Sequence, residues 1–220
     1  MCRRRWVASS VCFDRVVCEQ LVSRSTSLVP CDGDVHYFPG FISRSEAGSI
    51  FDELVKTLAW QTEELSLYGK RILVPRLVAW YGDCDAVYRY SGTRHEPLPW
   101  SPLLLALRER VASVDPCPFN SVLANYYRDG NDSMGWHADK EPELGINPVI
   151  ASLSFGAARL FKLQHTKTKQ VVDIVLEPGS LLLMRGSLQH HWRHCLPKTR
   201  QPVSGRVNLT FRRIIQLANM

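Results

Sequence analysis

His137-Ala138-Asp139 sets an imidazole and a carboxylate two residues apart. On an extended segment that spacing turns both side chains to one side, where they can take two neighbouring positions on one metal ion. Two histidines and one carboxylate that leave further positions open form the facial triad of non-haem iron(II) oxygenases. The third ligand has to come from elsewhere, and His190, His191 and His194 cluster in a strand-like segment near the other end of the chain. By itself a His-x-Asp pair is also what a surface turn gives by chance, and a His-rich strand can simply be exposed. A second signal has to decide.

That signal is Arg206-Val207-Asn208-Leu209-Thr210-Phe211-Arg212, which alternates without a break. As a strand it puts Arg206, Asn208, Thr210 and Arg212 on one face and Val207, Leu209 and Phe211 on the other. Buried charges must be paired, so the polar row either faces solvent on an edge strand or lines a cavity that holds an anion. Guanidinium groups grip carboxylates with two parallel hydrogen bonds, and two arginines on one inner face suit a dicarboxylate such as 2-oxoglutarate. Asn125 and Tyr127 share a face in the same way, opposite Val122 and Ala124, and both can donate hydrogen bonds to an oxyanion.

These residues need a scaffold, and the pattern around them predicts one of α+β class. A strand is expected over 35–41, then a helix over 43–58 capped by Ser43 and Glu46, with Ile50, Phe51, Leu54, Val55 and Leu58 on one face. Residues 67–92 read as hairpin strands in which Tyr88 and Tyr90 share a face. A second helix, over 100–114, is entered through Pro99 and Pro102. Strands follow over 121–127, 148–155, 159–164, 170–176, 180–184, 190–194 and 203–213, separated by turn signals such as Asp129-Gly130, Pro178-Gly179 and Arg185-Gly186. Many short strands of even spacing mean a sandwich or barrel. Residues 1–33 show weak periodicity and are expected to form a weakly ordered leader ahead of a single domain over 34–220.

Composition narrows the setting. The chain has 220 residues, enough for one domain with a real core. No apolar run approaches a membrane span, and the basic N-terminus lacks the apolar core of an export signal. Seven scattered cysteines with no Cys-x-x-Cys fit reduced thiols in a reducing, intracellular compartment. The net charge is +6, and from Pro178 to Met220 there are seven basic residues and no acidic one. A basic surface of that kind suits a polyanionic partner.

Taken in order, Asn125-Tyr126-Tyr127, His137-Ala138-Asp139, His194 and Arg206-Val207-Asn208-Leu209-Thr210-Phe211-Arg212 resemble the AlkB family of iron(II)- and 2-oxoglutarate-dependent dioxygenases, in particular its branch that repairs alkylated nucleic acid. Phe119-Asn120-Ser121 and Ala151-Ser152-Leu153-Ser154-Phe155-Gly156 add to the match, which covers about residues 35–215. The resemblance implies a double-stranded β-helix (jelly roll) over about 119–215, helices packed on one side, and a nucleotide-recognition lid over about 64–95. It implies His137, Asp139 and His194 as iron(II) ligands, with His194 preferred to its neighbours because Leu196-Pro197 and the arginine strand follow it. It implies Asn125, Tyr127, Arg206, Asn208 and Arg212 as the 2-oxoglutarate pocket, with O2 as co-reactant. For the substrate it implies Tyr90 and Tyr88 against a flipped base, Glu141 near the base edge, and Tyr68 and Arg76 on a lid hairpin that probes the duplex.

The activity so implied is oxidative removal of alkyl groups from bases such as 1-methyladenine and 3-methylcytosine in DNA, with RNA as a second polymer, by a monomer acting in the cytoplasm of a bacterium or the nucleus of a eukaryote. An oxygenase acting on a protein, a lipid or a small molecule is the alternative. A nucleic-acid binder without turnover is a further one. The basic C-terminal third and the aromatic lid speak against the first, and the full ligand set against the second.

Overall fold

The computed structural model describes residues 26–67, 70–86, 88–90 and 93–215. In chain order its elements are β1 (Asp34–Phe38), α1 (Arg44–Thr57), β2 (Gln61–Leu67), β3 (Lys70–Gly82), β4 (Tyr88–Tyr90), β5 (Thr93–His95), α2 (Pro102–Ala112), β6 (Ser121–Tyr127), β7 (Met134–His137), a 3-10 turn (Pro142–Leu144), β8 (Ile150–Gly156), β9 (Arg159–His165), β10 (Val171–Leu176), β11 (Leu181–Arg185), α3 (Leu188–His191), β12 (Trp192–Leu196) and β13 (Arg206–Arg212).

The strands form two main antiparallel sheets, as a jelly roll requires. One is seven-stranded with order β1-β11-β8-β13-β6-β3-β2, the other four-stranded with order β10-β9-β12-β7, and β4 pairs with β5 in a separate ribbon. The larger sheet is covered on both sides. Its outer face, with Val122, Ala124, Leu153, Phe155, Val207, Leu209 and Phe211, packs in one core with Ile50 and Leu54 of α1 and Leu104, Leu107 and Val111 of α2. Its other face looks toward the smaller sheet, where Ile150, Leu182 and Met184 meet Leu163, Ile174, Leu176 and Trp192. Each such side chain, fully buried, contributes about 1.5–3 kcal/mol of transfer free energy.

Local rules explain the boundaries. The Ser43 side chain accepts the Glu46 N–H to start α1, and the Glu46 carboxylate pairs with Arg110 of α2. Ser101 accepts the Leu104 N–H to start α2, with Pro102 in its first turn, where a missing N–H costs nothing. Gly156 ends β8 at φ +81, and a Cβ there would lie 2.3 Å from the Gly205 carbonyl oxygen, so only glycine fits.

Two expectations need correction. The strand expected over 190–194 starts at Trp192, because His190 and His191 close the short helix α3. The basic stretch after Pro178 does not form one charged surface. Arg206 is buried, Arg185 is held by Asp34 and Asp115, Arg212 by Asp139, and Arg193 by Gln164 and the ring of Trp136. Lys198, Arg200 and Arg213 are the exposed remainder.

Residues 1–25 of the expected leader lie outside the described residues. Its described end packs on the domain: Val29 is buried with the second core, and the Cys31 carbonyl accepts the Trp192 indole N–H at 3.0 Å. Among the described residues no helix is long and apolar enough to cross a membrane.

Candidate metal and cosubstrate site

β12 and β7 are antiparallel neighbours with His194 directly opposite His137, and the two imidazole centroids are 4.2 Å apart. Asp139 follows two residues beyond His137. One ligand atom from each of His137, Asp139 and His194 lies within 4.8 Å of the others. Register and spacing together therefore deliver the donor set that the sequence suggested.

The protonation states suit a cation. His137 sets Nδ1 2.9 Å from the Gly135 carbonyl oxygen. With the proton on Nδ1, the Nε2 lone pair is left for a metal. Burial pushes the pKa of His194 down to about 3, with His137 adding to the effect, so its imidazole is neutral. Burial alone would raise the pKa of Asp139. Arg212, His194 and His137 outweigh it and hold the carboxyl well below the usual range. The Asp139 carboxylate is divided between two tasks. Oδ2 accepts Nη2 and Nε of Arg212 at 2.8 and 3.2 Å, while Oδ1 faces His137 Nε2 at 3.7 Å.

Other histidines are turned elsewhere. His190 hydrogen-bonds the Ile146 carbonyl, and His191 stacks on His165. Cys31, Asp32 and His165 also lie close together. There, however, His165 Nδ1 accepts the Thr168 N–H at 3.0 Å, which leaves Nε2 to donate to Asp32 at 3.1 Å. No ring lone pair faces that cluster.

The His–Asp–His group opens into a cavity of about 860 Å³ between the sheets. Its polar wall is a row across β3, β6, β13 and β8. Arg206 lies opposite Tyr127 and Asn208 opposite Asn125 in the β13–β6 register. The alternative of a wet edge strand is decided here: β13 is central, and Arg206, Asn208 and Thr210 are buried. Arg206 is 2% exposed and donates from Nη2 to Ser154 Oγ at 2.9 Å, while its buried Nε has no partner among the described residues. Burial lowers its pKa to about 10, with repulsion from Arg159 adding to that and Tyr127 opposing it. A buried guanidinium with an idle donor aimed along a polar wall fits a carboxylate. The site as a whole therefore fits a first-row metal ion beside a dicarboxylate such as 2-oxoglutarate.

Asn208 is largely engaged within the wall. Its Nδ2 donates to Ser152 Oγ and the Leu153 carbonyl at 2.7 and 2.9 Å, and its Oδ1 accepts the Thr210 hydroxyl at 3.0 Å. Arg76 lies inside the cavity rather than on the hairpin tip, with Nε donating to Asn125 Oδ1 at 2.6 Å. Glu141 lines the cavity with Oε2 buried and unpartnered among the described residues. Tyr68 lies outside the described residues, as do the side chains of Tyr88 and Tyr90 on β4.

Sequence reading gave no role to three contributors. Ser152 and Ser154 complete the wall, and their alternation with Leu153 and Phe155 was the available sign. Gln189, 2% exposed, accepts the Asp139 backbone N–H at 3.0 Å across 50 residues, and nothing local in the sequence announces that bond.

Comparison with known proteins agrees with this geometry. The family described as the 2OG-Fe(II) oxygenase superfamily matches residues 34–212. The chain is 41% identical over 187 residues to the mouse (Mus musculus) alpha-ketoglutarate-dependent dioxygenase alkB homolog 3, a match covering 80% of this chain and 65% of that protein. It is 42% identical over 183 residues to the mouse DNA oxidative demethylase ALKBH2, covering 78% of this chain and 77% of that protein. The chain thus spans just under two thirds of the alkB homolog 3 proteins that it matches. Among solved structures, that of OsALKBH1 superposes with a TM-score of 0.54 at 16% identity, covering 81% of this chain and 97% of the other, which speaks to the fold.

Proposed function

The chain belongs to the 2OG-Fe(II) oxygenase superfamily and, within it, to the AlkB family, and from that premise we propose that it removes alkyl groups from the ring nitrogens of bases in nucleic acid, DNA first. The observation that carries the proposal is the convergence of His137, Asp139 and His194 in one cavity with the buried, partly unpartnered Arg206. It is supported by relatives named DNA oxidative demethylase at about 40% identity.

In this reading residues 34–212 are the catalytic domain, and His137, Asp139 and His194 hold iron(II). Bound there, the ion would supply, with O2 and 2-oxoglutarate, the oxidation that hydroxylates the alkyl carbon, which then leaves the ring nitrogen as an aldehyde, while the keto acid departs as succinate and carbon dioxide. The protein's own part is orientation and exclusion of water. Arg206, with Tyr127 and Asn125, seats the far carboxylate of the keto acid, Asn208 keeps the wall in register, and Arg212 braces the near end through Asp139. Glu141 offers a buried carboxylate oxygen to a cationic base, which favours 1-methyladenine and 3-methylcytosine. Tyr68, Tyr88 and Tyr90, together with Arg76, receive the base once it leaves the stack, since the target carbon is out of reach in a duplex.

The test is a panel of single- and double-stranded oligonucleotides, DNA and RNA, carrying 1-methyladenine or 3-methylcytosine, incubated with iron(II), 2-oxoglutarate and ascorbate. Restored bases in step with succinate are expected. Succinate without base repair would overturn the substrate assignment and favour another acceptor.

A further inference from the structure

Arg159 opens β9 and is 3% exposed, yet it does not line the cavity. Three backbone carbonyls receive its guanidinium. Nη1 donates to Asp129 at 3.0 Å, and Nη2 to Asp132 and Pro197 at 2.9 and 2.8 Å. Asp129 and Asp132 belong to the loop between β6, which ends at Tyr127, and β7, which carries His137. Pro197 follows β12, which carries His194. One side chain therefore ties together the ends of three strands of the site.

Its charge is harder to account for than its reach. The nearby Asp132 carboxylate is already engaged by Arg128, through the backbone N–H at 2.9 Å and through Nε and Nη2 at 2.8 and 2.9 Å. The Arg159 guanidinium stands 6.0 Å from the Tyr127 ring centroid, and that of Arg206 stands 5.4 Å from the same ring. Arg159 and Arg206 repel each other, which is part of why the pKa of Arg206 is depressed. Burial depresses that of Arg159 as well, against the opposing pull of Tyr127, Asp132 and Asp129. Asp132 and Asp129 offset part of the Arg159 charge, yet two buried cations at one aromatic ring still favour an anion at that end of the cavity.

We infer that Arg159 is a positioning residue for the dicarboxylate: it holds Tyr127 and the β6–β7 loop against Arg206 and adds a second positive charge behind the end of the cavity that seats the far carboxylate. The inference rests on the reading of Arg206 and Tyr127 as contacts of the keto acid. Arg159 acts through them and not by touching the ligand.

The test is calorimetric titration of 2-oxoglutarate into Mn(II)-loaded protein, with melting curves, for the wild type, Arg206→Met, Arg159→Met and Arg159→Lys. Arg159→Met is expected to weaken 2-oxoglutarate binding about tenfold, the scale of one charge-assisted interaction. Arg159→Lys keeps the charge but cannot span three carbonyls, so a loss of about threefold is expected. In turnover the KM for 2-oxoglutarate should rise by the same factors while kcat at saturation stays within about twofold.

An Arg159→Met protein that melts lower but binds 2-oxoglutarate like the wild type would overturn the inference, leaving a brace and nothing more. If Arg159→Met does not fold, Arg159→Gln, which removes the charge but keeps an amide donor, takes its place, and wild-type affinity there overturns it equally. Undiminished affinity in Arg206→Met would instead overturn the underlying reading of the pocket, so the two failures are distinguishable.

Discussion

The two ends of the cavity follow opposite electrical plans. At the metal end Asp139 is met by Arg212 on one oxygen and turns the other to His137, and His194 is neutral. At the far end Arg206, Arg159 and Arg76 are 2%, 3% and 5% exposed, and their hydrogen bonds to Ser154, the Asp132 carbonyl and Asn125 go to neutral oxygens. The first end is complete but for a cation that two imidazoles and a carboxylate can bind. The second is short of negative charge even with Asp132 and Asp129 acting on Arg159, so an anion in it relieves a costly burial. One cavity thus shows by its charge pattern that it takes two different guests.

The largest break comes from Asp139→Ala. It removes one ligand and also leaves Arg212 without the carboxylate that holds it. Metal-dependent succinate formation should fall by more than about a hundredfold, beyond what loss of an outer partner costs. Far-ultraviolet circular dichroism should stay that of the wild type, because the sheets do not depend on this side chain. Turnover at the wild-type rate would dissolve the metal end as described.

A subtler break leaves all three ligands in place. Gln189→Ala strands the buried Asp139 N–H, a loss of about 1–3 kcal/mol, and should weaken Mn(II) binding about tenfold. Affinity for 2-oxoglutarate in metal-saturated protein should change by less than about twofold, since Gln189 does not reach the far end. Equal losses of both ligands would mean that the two ends are one unit.

Gln189 also marks the limit of what the sequence discloses. The strand Arg206–Arg212 was legible, though expected over 203–213, because each of its two faces is uniform, one polar and one apolar. Strand Ser121–Tyr127 and both long helices were legible through alternation and capping residues. The short edge strand Met134–His137 was not, since it is half exposed and has no core face to impose a period. The α3 turn was read as strand because four residues cannot display a helical repeat. The ligands themselves were legible because chemistry fixes their types, with His194 singled out from His190 and His191 only by resemblance. Gln189 and Arg159 act on backbone atoms far away in sequence, and a backbone atom leaves no trace in the residue types.

Within the polar wall, Asn208→Ala should weaken 2-oxoglutarate binding about fivefold, an effect of about 1 kcal/mol. That is smaller than for Arg206, because Nδ2 already donates to Ser152 and Leu153 and little of the amide remains for a ligand. A loss as great as that of Arg206→Met, measured by the same titration, would make Asn208 a principal contact and extend the anion end along β13.

Thr210→Val draws the boundary most finely. The substitution keeps the shape and the β-branch, so the strand is undisturbed, and it deletes only the hydroxyl that donates to Asn208 Oδ1. If that hydroxyl merely orients the amide, 2-oxoglutarate affinity should drop by less than about threefold and stability by about 1 kcal/mol. Thr210 lies between Asn208 and Arg212 on the cavity face, midway between the two ends. A loss matching that of Asn208→Ala would therefore mean that the keto acid reaches past Asn208 to touch Thr210, placing its near end against Arg212 and joining the two electrical plans through the ligand itself.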